Sequence, residues 1–396
     1  MEDPRLTTGR GRYIDDIELP QMLEAAILRS PVPHAKIARI DTSRALGLPG
    51  VHAVLTGAEL AAIAGPQPVI WRVMPGQRET NAHAMAVDRV RWVGHAVAAV
   101  VARNRYIAED ALALIDVEYD PLPAVATLES ALAEGAPTLY DHWPDNVLGR
   151  MTFTNGDADA AFAAADVVVR ERFQVGRHFA CPLETRGCIA SWDPYTGEID
   201  LWLSGQAPAM VRDFLAETLG VPMQKIRVRT PDVGGGFGCK LDFYGEEVIA
   251  LALSRRLGRS VKWIEDRAES FVATSHAREE TVDAEMAATK DGKITGIRAT
   301  FYGVLGGTTQ MVACGPAWLS MSLVTGPYKV PNVSTTIVSV MTNRAPYGSY
   351  RGWGQPEANF VHERLVELVA RELGMDRNEI RRKNMPGPEE FPFNTG

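Results

Sequence analysis

The run Asp232-Val233-Gly234-Gly235-Gly236-Phe237-Gly238-Cys239-Lys240 constrains this chain more than any other stretch, because four glycines around one aromatic suit a ligand better than a core. Glycine has no Cβ, so its backbone takes positive φ and can bring N–H groups close to an anionic or oxo-bearing group. A phosphate loop of the Walker type needs Gly directly before its Lys and Ser or Thr after it, whereas Lys240 lies between Cys239 and Leu241. A dinucleotide fingerprint starting at Gly234 fits Gly236 but fails at Cys239, where its third glycine should stand. Neither phosphate motif is present. The bland alternative is a strand end kinked at a glycine cluster with no ligand.

Two other segments share this character. Trp202-Leu203-Ser204-Gly205-Gln206-Ala207-Pro208 precedes an apolar spacing of Val211, Phe214, Leu215 and Leu219. That spacing predicts a helix from Pro208 to about Leu219, with Gly220 as its stop. Gln206 then sits just ahead of a helix N-terminus, where a neutral amide can donate to an oxygen or sulfur ligand. Taken alone, Gln206 reads more often as a cap or turn residue. Ala345-Pro346-Tyr347-Gly348-Ser349-Tyr350-Arg351-Gly352-Trp353-Gly354-Gln355-Pro356 again sets glycines around aromatics, and Pro356 opens a helix with Val361, Leu365, Leu368 and Val369 on one face before Gly374. Singly, Arg351 reads as a surface charge and Trp353 as a core aromatic.

Together, and in this order, the three clusters resemble the molybdopterin-binding large subunit of the xanthine dehydrogenase, aldehyde oxidase and carbon monoxide dehydrogenase family, the molybdenum hydroxylases. The resemblance begins at Glu2-Asp3-Pro4-Arg5-Leu6 and Gly9-Arg10-Gly11-Arg12-Tyr13. It continues through Arg29-Ser30-Pro31-Val32-Pro33-His34, Trp92-Val93-Gly94-His95, Gly326-Pro327-Tyr328 and Glu372-Leu373-Gly374-Met375-Asp376. It covers the N-terminal half of such subunits only. It implies an α+β fold, with an α/β hammerhead-like domain over residues 8–122, a proline-rich connector over 123–145 and the first molybdopterin-binding domain over 146–396.

The resemblance also implies roles. Gln206 matches the glutamine beside a terminal ligand of molybdenum; Gly236, Phe237 and Gly238 match the backbone next to the metal; Arg351 matches the arginine of the facing loop. None ligates the metal directly, since the pterin dithiolene holds it and the protein supplies donors and shape. Trp353 matches an aromatic position on the substrate side. Gly352 stands where the carbon monoxide-oxidising members carry a copper-binding cysteine, and Leu241 where purine-oxidising members carry a glutamate. Both departures point away from those substrates, while stacking on Trp353 would favour an aldehyde or N-heterocycle, hydroxylated with water as the oxygen source. The family's general-base glutamate falls beyond Gly396, so no catalytic residue is expected in this chain. The implied cofactor is molybdenum-molybdopterin, as the cytosine dinucleotide, with a [2Fe-2S] subunit, an FAD subunit and, for a divided subunit, a second molybdopterin-domain polypeptide as partners. A truncated or non-catalytic paralogue that acts only as an assembly partner is the alternative.

Composition agrees with a globular subunit: 396 residues, 46% apolar and 23% charged. A net charge of -8 argues against a nucleic-acid partner. The start lacks an apolar signal region and the aliphatic run Ala96 to Ala102 is too short to span a bilayer, so a cytoplasmic location is expected, or one reached with a partner. Cys181, Cys188, Cys239 and Cys314 are too widely spaced for a zinc ribbon or an iron–sulfur run and read as reduced thiols. His178 and His276 read as structural. Strands are predicted at Leu23 to Leu28, Lys36 to Ile40, Val51 to Leu55, Asp166 to Val175 and Glu198 to Leu203. Helices are predicted at Ala58 to Ala64, Ile107 to Ile115 and Glu246 to Arg256, with a hairpin turn at Lys290-Asp291-Gly292-Lys293.

Overall fold

The run Ala96–Ala102 forms a strand in which every residue is buried, as expected where both faces of a sheet are covered. Alternate side chains go to opposite sides: Ala98, Val100 and Ala102 pack with Ala108 and Ala111 of the helix Arg105–Leu112, while Ala99 and Val101 join the larger core on the other face. Alanines let the helix approach closely, and each fully buried valine contributes about 1.5–3 kcal/mol. The computed structural model describes residues 3–393; Glu2, which opens the N-terminal signature, and Asn394-Thr395-Gly396 lie outside the described residues.

Around that strand lies a seven-stranded mixed sheet in the order Ile226–Arg229, Ile199–Leu203, Gly187–Trp192, Val261–Ile264, Leu23–Arg29, Ala96–Ala102, Val51–Thr56. It draws strands from both sides of the proline-rich segment: Leu23 pairs in parallel with Val261 and Ala25 with Trp263. Helices Pro208–Leu219 and Gly245–Leu257 cover one face through Val211, Phe214, Leu215, Val248, Leu251 and other apolar residues. A second sheet of five strands runs Val147–Asn155, Asn332–Val340, Ile294–Val304, Glu280–Ala288, Val167–Val175. Its apolar face packs on the helix Gln355–Leu373 through Val361, Leu365, Val366 and Val369. A small third sheet joins Arg89–Val90, Ala35–Asp41 and Asp116–Pro121. Mixed helix and strand content in these layers makes the chain α+β.

The helix that opens at Pro208 ends at Leu219 with Gly220 left-handed at φ 62, and the later helix ends at Gly374 with φ 65. Asp291-Gly292 turns the antiparallel pair Glu280–Ala288 and Ile294–Val304, with Gly292 at φ 83. The proline-rich segment is packed rather than loose. It carries the short helix Leu128–Leu132 and buries Val125, Leu139, Tyr140 and Trp143 in the core of the five-stranded sheet. Among the described residues no helix is long and apolar enough to cross a membrane.

Candidate cofactor site

The strand Ile199–Leu203 leaves its sheet through Ser204-Gly205-Gln206, and the next helix begins two residues later. The Gln206 N–H donates to the Lys240 carbonyl at 2.9 Å, and the Gly238 N–H donates to Gln206 Oε1 at 2.9 Å. With its oxygen engaged, the exposed amide turns both Nε2 hydrogens to whatever lies outside. Gly236 is required for this fit, because a Cβ there would stand 2.3 Å from Gln206 Oε1.

The arginine loop touches the glycine loop directly. The Arg351 N–H donates to the Phe237 carbonyl at 2.8 Å, and the Arg351 guanidinium lies 5.1 Å from the Phe237 ring centroid. Phe237 holds φ 56 and Trp353 φ 50, left-handed values that L side chains rarely take and that cluster at ligand sites. Phe237 is 41% exposed, and Arg351 and Gly352 are exposed beside it. Trp353 is half-buried: its Nε1–H donates to Ser349 Oγ at 3.0 Å and its ring meets Trp71 edge-on at 4.7 Å.

Beneath the loops lies a set of buried charges. Lys240 Nζ reaches Glu184 Oε2 at 2.9 Å and Ser204 Oγ at 2.8 Å, and the same Glu184 oxygen accepts the Gly234 N–H at 2.7 Å. Burial lowers the Lys240 pKa while its bond to Glu184 pulls it back up. One carboxylate thereby ties the glycine loop to the end of the strand that carries Gln206. On the other side Arg278 pairs with the buried Glu357 at 2.9 Å, and its second arm donates to the Arg351 carbonyl. Tyr244 Oη donates to the Cys239 carbonyl at 2.5 Å, closing the last turn of the loop.

Asp242 connects the two loops from behind, accepting from Ser275 Oγ at 3.1 Å and from the Ser349 N–H at 3.4 Å. Burial raises its pKa to about 7, against the opposing pull of those two donors. The folded value lies above the unfolded one near 3.8, so Asp242 contributes most to stability below about pH 4, and that contribution is lost as pH rises through about 7. Asp242→Asn keeps an acceptor for Ser349 and removes the titration. The gap between urea midpoints at acidic and mildly alkaline pH is expected to shrink in the variant; an unchanged gap would place the pH dependence elsewhere.

Five of the predicted residues, Gln206, Gly236, Phe237, Gly238 and Arg351, thus come together, with Gly352 and Trp353 adjoining. Leu241 lies one step behind: it is half-buried and packs against the core of the seven-stranded sheet. Glu184, Asp242, Arg278 and Glu357 were missed by sequence reasoning, which treated Lys240 only as a misfit to a phosphate loop. The donor set fits an organic anion better than a bare ion. It offers the Gln206 amide, the Arg351 guanidinium and a backbone cradle with no room for side chains, while no group of three or more His, Cys, Asp and Glu residues able to hold a metal ion occurs among the described residues. Cys239 offers no thiolate, since burial pushes its pKa up to about 12.

Comparison with known families agrees with this cradle. The family model described as the molybdopterin cofactor-binding domain matches residues 139–385, and that of the aldehyde oxidase and xanthine dehydrogenase a/b hammerhead domain matches residues 8–123. The chain belongs to the xanthine dehydrogenase family and corresponds to the N-terminal half of its molybdopterin-binding large subunits. Within that family it is 39% identical to the carbon monoxide dehydrogenase large chain of Hydrogenophaga pseudoflava, over 100% of this chain and 50% of that one. It is 32% identical to the nicotinate dehydrogenase large molybdopterin subunit of Eubacterium barkeri, over 94% of this chain and 84% of that one. The crystal structure of quinoline 2-oxidoreductase from Pseudomonas putida 86 superposes with a TM-score of 0.95 at 40% identity, covering 99% of this chain and 50% of that one. The chain spans about half the length of most of the curated relatives it matches.

Proposed function

We infer that this chain provides one wall of the active site of a molybdenum hydroxylase that oxidises an aldehyde or N-heterocycle with water as the oxygen source. The observation that carries the reading is the direct bond between the two loops, Arg351 N–H to the Phe237 carbonyl at 2.8 Å, with the free Gln206 amide beside it. Gln206 would donate through Nε2 to a terminal ligand of molybdenum, Gly236 to Gly238 would let the pterin complex approach the main chain, and Arg351 would meet its negative charge from the facing side. Once bound, molybdenum-molybdopterin supplies the two-electron oxidation and a water made acidic by metal ligation. This chain's own residues bind and orient; the proton-accepting carboxylate belongs to the second molybdopterin-binding domain, whether that lies on further residues or on another polypeptide.

Trp353, Gly352 and Leu241 support the substrate side of the proposal. Gly352 offers no thiolate for copper, so carbon monoxide is not the substrate proposed, despite the likeness to carbon monoxide dehydrogenase chains. Leu241 cannot hydrogen-bond a purine edge. Relatives named for quinoline, nicotine and nicotinate favour a planar nitrogen heterocycle, which the edge of an indole suits. The cofactor is proposed in its cytosine dinucleotide form, with electrons leaving through [2Fe-2S] and FAD partner subunits.

Coexpression with the second molybdopterin-binding domain and those subunits, followed by metal analysis and a screen of aldehydes and N-heterocycles with an artificial electron acceptor, tests the reading. Copurified molybdenum and pterin with turnover are expected; a pure complex free of molybdenum would leave only the assembly role. Gln206→Ala is expected to lower turnover by about tenfold or more, the scale of losing one oriented donor, at unchanged protein yield. Equal losses of turnover and yield would reduce Gln206 to a folding residue.

A further inference from the structure

Residues 3–17, which carry part of the family likeness, meet the glycine loop at its entrance. Arg5 grips Asp232 with both arms of its guanidinium, Nη2 to Oδ1 at 2.6 Å and Nη1 to Oδ2, and the Arg12 N–H donates to the same Oδ2 at 2.7 Å. The Asp232 N–H in turn donates to the Arg12 carbonyl at 3.0 Å. Two positions further on, the Gly234 N–H is held by Glu184 Oε2, and the Ile14 N–H reaches the other oxygen of that carboxylate at 3.4 Å. One segment therefore touches both carboxylates that fix where the glycine loop begins.

The two ends of the segment are attached differently. Ile14 and Ile17 are buried and pack with Ile189 and with Trp202, which lies on the strand that leads to Gln206. The helix Asp3–Thr7 buries none of its residues, so apolar packing does not hold it. Its fork to Asp232 supplies direction as well as charge, since two parallel N–H bonds fix the plane of the carboxylate. Arg5 first, and then the Arg12 N–H, hold the Asp232 pKa down to about 2, which keeps that carboxylate ionised throughout the neutral range. An element tied by exposed polar groups opens more readily than its apolar anchor. We propose that residues 3–17 latch the glycine loop, with Arg5 and Asp232 as positioning residues that keep residues 234–238 in the shape that receives the pterin complex. The identity of that ligand rests on the molybdenum reading; the latch itself does not.

Amide hydrogen exchange of the full chain in its complex, compared peptide by peptide, tests the latch. Arg5→Ala is expected to speed exchange over residues 232–240 by about threefold, the scale of one exposed ion pair, while the hairpin 280–304 exchanges as in the wild type. Arg5→Lys, which keeps the charge without the fork, is expected to fall between. Raising salt from about 0.05 M to about 0.5 M screens an exposed pair, so it is expected to speed loop exchange in the wild type and not in Arg5→Ala, a difference that packing alone would not produce. Molybdenum is expected to leave the loaded complex correspondingly faster in Arg5→Ala. Loop exchange equal to wild type in both Arg5→Ala and Asp232→Asn overturns the proposal. So does an acceleration that extends equally over the hairpin, or molybdenum held as in the wild type by a loosened loop. A wild-type complex that takes up no molybdenum would instead refute the proposed function, and the exchange rates would still decide the latch.

Discussion

Replacing Gly238 by Ala is expected to leave a folded protein that no longer retains molybdenum. Gly238 holds φ 108, and a Cβ on it would stand 2.9 Å from the carbonyl carbon and oxygen of Ser349 and from Tyr350 Cα. Those are main-chain atoms and cannot rotate away, as the end of a side chain could. The alanine is strained by about 1–3 kcal/mol in any case, and relief of the clash requires the two loops to part. Parting them breaks the bond from Arg351 N–H to the Phe237 carbonyl and moves the Gly238 N–H that donates to Gln206 Oε1. A shift of this size in the positioning elements is worth about a hundredfold in rate. Gly135→Ala is the matched control, since Gly135 has a similar φ of 73 with nothing within 4 Å of its Cβ position. Molybdenum per chain after coexpression is the measurement, with circular dichroism as the check on folding. Wild-type molybdenum content in Gly238→Ala would show that the loops need not touch.

The parts of this site that could be read from sequence are those whose cause is local. Positive φ demands glycine, so the runs around Phe237 and Trp353 stand out; proline starts and glycine stops mark the helices that follow Gln206 and Gly354. Asp291-Gly292 declares its hairpin for the same reason. Long-range causes leave no such mark. Lys240 and Glu184 are 56 positions apart, and Arg278 and Glu357 are 79 apart. Nothing in either neighbourhood says that these charges are buried, let alone paired. The strand Gly187–Trp192 was also missed: Gly-Cys-Ile-Ala-Ser-Trp lies between two antiparallel neighbours inside a sheet, so its residues do not alternate between polar and apolar. Even the seven-stranded sheet has this origin, since the parallel pairing of Leu23 with Val261 depends on packing between distant stretches rather than on local pattern.

Those invisible charges have a mechanical role, and the largest effect on stability is expected at their centre. Arg186 is 3% exposed and donates to Glu265 Oε1 at 2.6 Å, to Thr274 Oγ1 at 2.7 Å and to both carboxylate oxygens of Glu246 at 3.1 and 3.2 Å. Its guanidinium lies 3.8 Å from the ring centroid of Tyr244, the residue whose hydroxyl closes the glycine loop at Cys239. Arg186→Met therefore leaves two buried carboxylates with Arg29, itself shared with Glu269, as the remaining cation, and is expected to destabilise by about 3–5 kcal/mol. Arg186→Met combined with Glu265→Gln, which removes one of the uncompensated charges, is expected to recover a large part of that loss; no recovery would mean that packing against Tyr244 and Trp263, not charge, is what Arg186 provides. The pH dependence separates the two explanations further. Burial alone would raise Glu246, but Arg186 and Arg29 overcome it and hold the pKa down to about 2. That depressed carboxylate stabilises the wild type above about pH 4.5, and the contribution is lost as pH falls through about 2. Without Arg186 the balance tips towards burial, so the variant is expected to gain stability on mild acidification, where the wild type gains none from this group. Asp242 adds its own gain on acidification to both proteins, so denaturant midpoints at pH 5 and pH 7 are compared as variant minus wild type, and a variant whose change merely parallels that of the wild type would refute the electrostatic account.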